Sequence, residues 1–105
     1  LPALCGRAAA RGHRVFLLGG APGVAAAAGA LLTARFPGLR VAGTESPPPG
    51  PAAPDLLDRV RAAAPDLLFV ALGQPKGELW LDAHLRDLGV PVGIQVGAAF
   101  DMLTG

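Results

Sequence analysis

From Leu67 to Leu72 the chain is apolar without interruption, and Val15–Leu18 forms a second such run. A strand with one wet face alternates between apolar and polar residues. These two runs do not, so they read as parallel strands buried on both faces. Parallel neighbours cannot be joined by a tight hairpin and need a crossover, usually a helix. The two runs therefore constrain the chain to an α/β arrangement.

The intervening segments supply the crossovers. Leu39–Ala42 and Val92–Val96 read as further strands, and Ala3 to Ala10 as a leading helix. Val24, Ala28, Leu31, Leu32 and Arg35 follow a helical period that Pro37-Gly38 ends. Leu56, Leu57, Val60 and Ala64 form the stripe of a second crossover, opened by Pro54-Asp55 and closed by Pro65. In a third, starting near Lys76, Leu81, Leu85 and Leu88 face inward, Gly89 is the stop, and Asp82 and Arg86 are spaced to pair on the outer face. The expected order is helix, then strand and helix three times, then strand. That order predicts a Rossmann-like three-layer sandwich around a four-stranded, all-parallel sheet in the order 2-1-3-4, with right-handed crossovers. Ser46 to Pro54 is proline-rich and reads as a stiff exposed connection, because proline lacks the N–H that a helix or central strand needs.

Composition removes several function classes. With 105 residues, 51% of them hydrophobic, and a mean hydropathy of +0.45, the chain makes one domain with ample core material. A net charge of +1 gives no field for nucleic acid. The single cysteine, Cys5, excludes an internal disulfide and reads as a small buried hydrophobe. The uncharged stretch Val15–Ala34 reaches the length of a bilayer span, about 20 residues, but glycines, Pro22 and many alanines break it into strand, turn and helix. The chain opens on a leucine inside a helical pattern, which suggests a fragment of a longer protein.

In a parallel sheet the loops after all the strands share one edge, where open α/β sheets bind ligands. These loops are Gly19–Gly23, Gly43–Gly50, Gly73–Gly77 and Gly97–Asp101. Glycine allows close backbone approach, and helix N-termini favour anions, so the edge suits an anionic or nucleotide-like ligand. Lys76 stands in one of these loops and is the only lysine among 9 basic residues. Gly19-Gly20-Ala21-Pro22-Gly23 does not fit the G-x-G-x-x-G dinucleotide fingerprint, and no P-loop occurs. A nicotinamide-type dinucleotide-binding domain nonetheless stays open as an alternative, with Glu45 placed to meet a ribose. No Asp-x-Asp occurs, so a metal–diphosphate clamp has no support and neither metal nor cofactor is expected.

Four ordered motifs carry a resemblance. Val15–Val24, then Phe36–Leu39 with Gly43-Thr44, then Pro65–Gly73 with Pro75-Lys76 and Glu78, then Val96–Asp101 with Gly105 resemble the WecG/TagA/CpsF glycosyltransferases. The resemblance implies an inverting transfer of N-acetylmannosamine, or a related hexosamine or hexose, from a UDP-sugar to a polyprenyl-diphosphate-linked N-acetylglucosamine. It implies work at the inner face of the cell membrane, in teichoic acid or cell-surface polysaccharide synthesis. It also implies that residues 1–105 are the sugar-nucleotide-binding half-domain. An N-terminal half would supply the aspartate base, and a basic, apolar segment after Gly105 would help reach the membrane. Self-association into a homo-oligomer is a further expectation, through apolar surface where that half docks. A binding module without turnover is the other reading of the same fold.

The implied substrate-binding residues are Gly19, Gly20, Gly23, Gly73, Gln74, Lys76, Glu78, Gly97 and Asp101. The family usually carries Gln-Glu where this chain has Gly77-Glu78, and a small residue where it has Gln74, so Gln74 is a candidate to replace the lost amide. It usually carries a histidine-glycine-aromatic run where this chain has Glu45 and the prolines. Within the chain Glu78 and Gln74 are the candidates for a catalytic role. Glu78 also suits the first turn of a helix, and Asp101 also suits an N-cap. Asp66 reads as structural, Trp80 as packing, His13 and His84 as surface residues, and Gln95 as pointing either way.

Overall fold

The computed structural model describes residues 1–48, 52–72, 76–97 and 99–104. Its elements are α1 (Pro2–Arg11), β1 (Arg14–Gly19), α2 (Val24–Arg35), β2 (Arg40–Glu45), α3 (Pro54–Ala63), β3 (Leu67–Ala71), α4 (Lys76–Leu88), β4 (Val92–Gln95) and α5 (Ala99–Thr104). The strands form one 4-stranded sheet in the order β2-β1-β3-β4, and every pairing is parallel, as the uninterrupted apolar runs require.

β1 and β3 sit in the middle and bury both faces. Val15, Leu17, Phe69 and Ala71 point to one side, where they meet Cys5 and Ala8 of α1, Ala25, Ala28 and Leu32 of α2, and Phe100 of α5. Phe16, Leu18, Leu68 and Val70 point to the other, against Leu56 and Val60 of α3 and Leu88 of α4. Leu17, Leu18, Leu68 and Phe69 are all fully buried, each stabilising the fold by roughly 1.5–3 kcal/mol.

Several details differ from the sequence expectation. β2 runs to Glu45 rather than ending at Ala42, because a half-exposed edge strand tolerates the polar Thr44 and Glu45. It carries an irregularity at Ala42, after which Gly43 pairs with Phe16; a Cβ at Gly43 would come within 2.5 Å of that ring. The inward stripe of α2 is Ala25, Ala28, Gly29 and Leu32, with Leu31 46% exposed, because an alanine-rich helix has little polarity contrast around its circumference. Ala64 lies past the end of α3 at φ 48, a left-handed cap rather than a stripe position. α5 is an additional element, and Asp101 lies within its first turn, not at its cap. Asp82 and Arg86 are not among the described ion pairs.

At the N-terminal edge of the sheet Asp66 is structural, as expected. Its carboxylate accepts from the Arg14 N–H at 2.8 Å, and its own N–H donates to the Arg14 carbonyl at 2.8 Å.

Candidate ligand-binding cleft

The chain leaves β1 through α2 toward β2 on one side, and leaves β3 through α4 toward β4 on the other. β1 and β3 are therefore the strands between which the winding reverses, and ligands of open α/β sheets bind outside the C-terminal ends of such a pair. A cleft of about 1040 Å³ lies there, lined by residues of the turn after β1, the segment after β2, α3, the end of β3 and α4.

The turn after β1 is held tightly. Gly20 N–H donates to the Ala71 carbonyl at 3.1 Å, joining the ends of the two central strands. Gly19 has φ 130, and a Cβ there would lie 2.3 Å from the Ala71 oxygen, so only glycine fits. Ser46, just past β2, ties this turn from the other side. Its hydroxyl donates to the Gly19 carbonyl at 2.9 Å and accepts from the Ala25 N–H at 3.3 Å. Val24 N–H donates to the Ala21 carbonyl at 2.9 Å. Two amides of the first turn of α2 are thus already engaged by the chain's own oxygens. What α2 offers an anion is mainly its dipole.

α4 supplies the opposite wall. Lys76, Trp80 and His84 recur at four-residue spacing, and all three line the cleft, with Leu79 and Ala83 between them. Lys76 is exposed, while Trp80 and His84 are half-buried and meet edge to face with ring centroids 4.9 Å apart. Glu45 and Arg59 close the far side in a two-point ion pair, Nε–Oε2 at 2.9 Å and Nη2–Oε1 at 3.0 Å. The hydrogen bond that Arg59 donates to Glu45 is the main cause that raises the Arg59 guanidinium above its ordinary pKa. Glu45 is the only carboxylate lining the cleft among the described residues, and Arg59 holds both of its oxygens.

The structure brings together only some of the residues singled out from sequence. Gly20 and Lys76 line the cleft, and Gly19 supports it through the Ser46 bond. Gly23, at φ 86, is the N-cap of α2 and does not line it. Glu78 is exposed on the opposite flank of α4, in a shallower groove with Asp82, Arg86 and Gln95. Gly97 and the exposed Asp101 also stay outside the cleft, since α5 packs against α2 on the other face of the sheet. Gly73 and Gln74 lie outside the described residues.

Ser46 and Arg59 escaped the sequence reading, and His84, read as a surface residue, is half-buried and lines the cleft. For His84 a signal was present, its spacing from Lys76 and Trp80. For Arg59 there was the acidic Glu45 at the end of the adjacent strand. Ser46 gave none, because a serine before a proline run reads as loop. Among the described residues no group of three His, Cys, Asp or Glu gathers as a metal site would require.

A sequence model of the WecG/TagA/CpsF glycosyl transferase family matches residues 1–105. The chain belongs to that family. It is 30% identical over 92 residues to an N-acetylglucosaminyldiphosphoundecaprenol N-acetyl-beta-D-mannosaminyltransferase of Bacillus spizizenii, an alignment covering 88% of this chain and 35% of that protein. The chain thus spans about a third of the length of that relative. As a member of the WecG/TagA/CpsF family, its cleft belongs to a fold whose relatives include a sugar transferase. Among the described residues no helix is long and apolar enough to cross a membrane.

Proposed function

We propose that this chain forms the donor-binding part of a glycosyltransferase. The full protein would move N-acetylmannosamine, or a related hexosamine or hexose, from a UDP-sugar to a polyprenyl-diphosphate-linked N-acetylglucosamine at the inner membrane face. The observation that carries the reading is the wall Lys76–Trp80–His84 at the β1/β3 reversal. Eight residues of helix span about 12 Å, which suits an extended nucleoside diphosphate lying along α4. Lys76 then meets the phosphates, Gly20 lets them approach the turn, and the Trp80–His84 pair offers an apolar wall for the nucleoside.

Transfer needs a base within hydrogen-bond reach of the acceptor hydroxyl. Glu45 is tied to Arg59 and Glu78 faces away. In this reading the base comes from another part of the protein, and residues 1–105 bind donor without turning it over. The engagement of Glu45 also argues against the dinucleotide alternative, which would use that carboxylate on a ribose.

The single tryptophan, Trp80, lines the cleft and makes the test direct. UDP and UDP-N-acetylmannosamine are titrated while Trp80 fluorescence is followed, with NAD as comparison and a turnover assay on short-chain lipid-linked N-acetylglucosamine alongside. Saturable quenching by the uridine ligands without turnover is expected. Tight NAD binding without UDP binding would replace the reading, and clear turnover by these residues would remove the claim that the base lies elsewhere.

A further inference from the structure

Gly77 lies in the first turn of α4 and is buried, although its neighbours Lys76 and Glu78 are exposed. The reason is a side chain from the next strand. Gln95, at the end of β4, reaches under this turn. A Cβ on Gly77 would stand 2.5 Å from Cδ of Gln95, 2.7 Å from Cγ and 2.7 Å from Oε1. The Gln95 carboxamide therefore fills the volume that a side chain at position 77 would need.

Its two ends are unequal. Oε1 accepts from the Gly97 N–H at 2.9 Å and so fixes the turn between β4 and α5, where Gly97 sits at φ 59. Nε2 is buried and has no partner among the described residues. An unpaired buried donor is unfavourable, and an apolar side chain of similar length would fill the slot without one. The polar residue is thus not explained by packing alone. What it uniquely provides is the acceptor for Gly97.

We propose that Gln95 is a positioning residue of the ligand edge and that Gly77 and Gln95 form a reciprocal pair. The missing side chain at 77 admits the carboxamide, which ties the β4–α5 turn to the first turn of α4, the turn that presents Lys76 to the cleft. The amide that the family resemblance leads one to expect at position 77 is then delivered to the same place from β4. The link to ligand rests on the function proposed above. The packing of the pair does not.

Two measurements on the whole chain test this. The first is thermal melting of Gly77→Ala with Gln95 present and in a Gln95→Gly background. Alanine is the better helix former, so with the carboxamide gone it should raise Tm, whereas with Gln95 present it should lower Tm by displacing the side chain. The same sign in both backgrounds overturns the pair. The second is UDP affinity of Gln95→Met, which keeps the bulk and removes both the Nε2 donor and the acceptor for Gly97. Tm is expected unchanged or higher and the Kd for UDP several-fold weaker. Wild-type affinity in a folded Gln95→Met overturns the positioning role. If the unsubstituted chain binds no UDP, the donor reading and the positioning role both fall, while the sign reversal still judges the pair.

Discussion

Gly19 approaches Ala71 so closely that a single added methyl would lie 2.3 Å from the Ala71 carbonyl oxygen. This contact, with the Gly20–Ala71 hydrogen bond, brings the ends of the two central strands together where the winding reverses. Gly19→Ala meets both a backbone clash and a left-handed φ of 130. The expected loss is about 3 kcal/mol or more, read as a lower urea midpoint. A variant as stable as the parent would show that the turn has room to move and is not what shapes the cleft.

Ser46 is the second tie on that turn. Ser46→Ala removes an acceptor from the Ala25 amide and a donor from the Gly19 carbonyl. The expected cost is about 1 kcal/mol of stability, the usual value for a lost helix-end hydrogen bond, without change in the urea m-value. Threonine keeps the hydroxyl and should restore most of it. Equal losses in the alanine and threonine variants would mean that the hydroxyl is not what matters.

How much of this was legible depended on contrast. The strands β1 and β3 announced themselves because nothing polar interrupts them, and from two buried parallel strands the topology follows with little freedom. α2 was legible as a helix but not in its orientation. Ala25, Ala28 and Gly29 differ too little from their neighbours for sequence to tell which side turns inward, and the sheet decides through close approach, with a Cβ on Gly29 only 3.2 Å from Thr44 Cγ2. The ligand edge was legible as a place and not as a set of contacts. Glycines and Lys76 marked it, but the partners of Ser46 and Arg59 lie 14 or more residues away in sequence, and Gln95 meets Gly77 on a different element. Asp101 lies away from the cleft because position past a strand fixes the edge but not the face, and α5 carries it to the side of α2.

Cys5 offers a check on the core that involves no ligand. The thiol is fully buried, and desolvation by that burial raises its pKa. Its folded value lies above the unfolded one, so folding favours the neutral thiol. The contribution is complete below the ordinary thiol pKa of 9.0 and is lost as pH rises above it. Stability should therefore decline above about pH 9, and Cys5→Ala should flatten that decline. Reaction with a thiol reagent at pH 8 should be slow in buffer and immediate in urea. Fast labelling of the native chain would contradict the packing of α1 on the sheet.

Lys76 and Glu78 separate the two sides of α4. They are two residues apart, so the helix turns them in nearly opposite directions, Lys76 to the cleft and Glu78 to the shallower groove. If the cleft holds a diphosphate, Lys76→Ala removes a charge-assisted contact worth about 2 kcal/mol, or roughly thirty-fold in Kd for UDP. The loss should shrink in high salt, because the remaining attraction to the exposed site is screened. Glu78→Ala should leave the Kd within about twofold and cost about 0.5 kcal/mol of stability, since its carboxylate favours the N-terminal end of the helix dipole. Titrating both variants with UDP by Trp80 fluorescence decides the matter. Similar weakening by the two substitutions would place ligand over the end of α4 rather than along its cleft face, and the wall formed by Trp80 and His84 would lose its assigned part in binding.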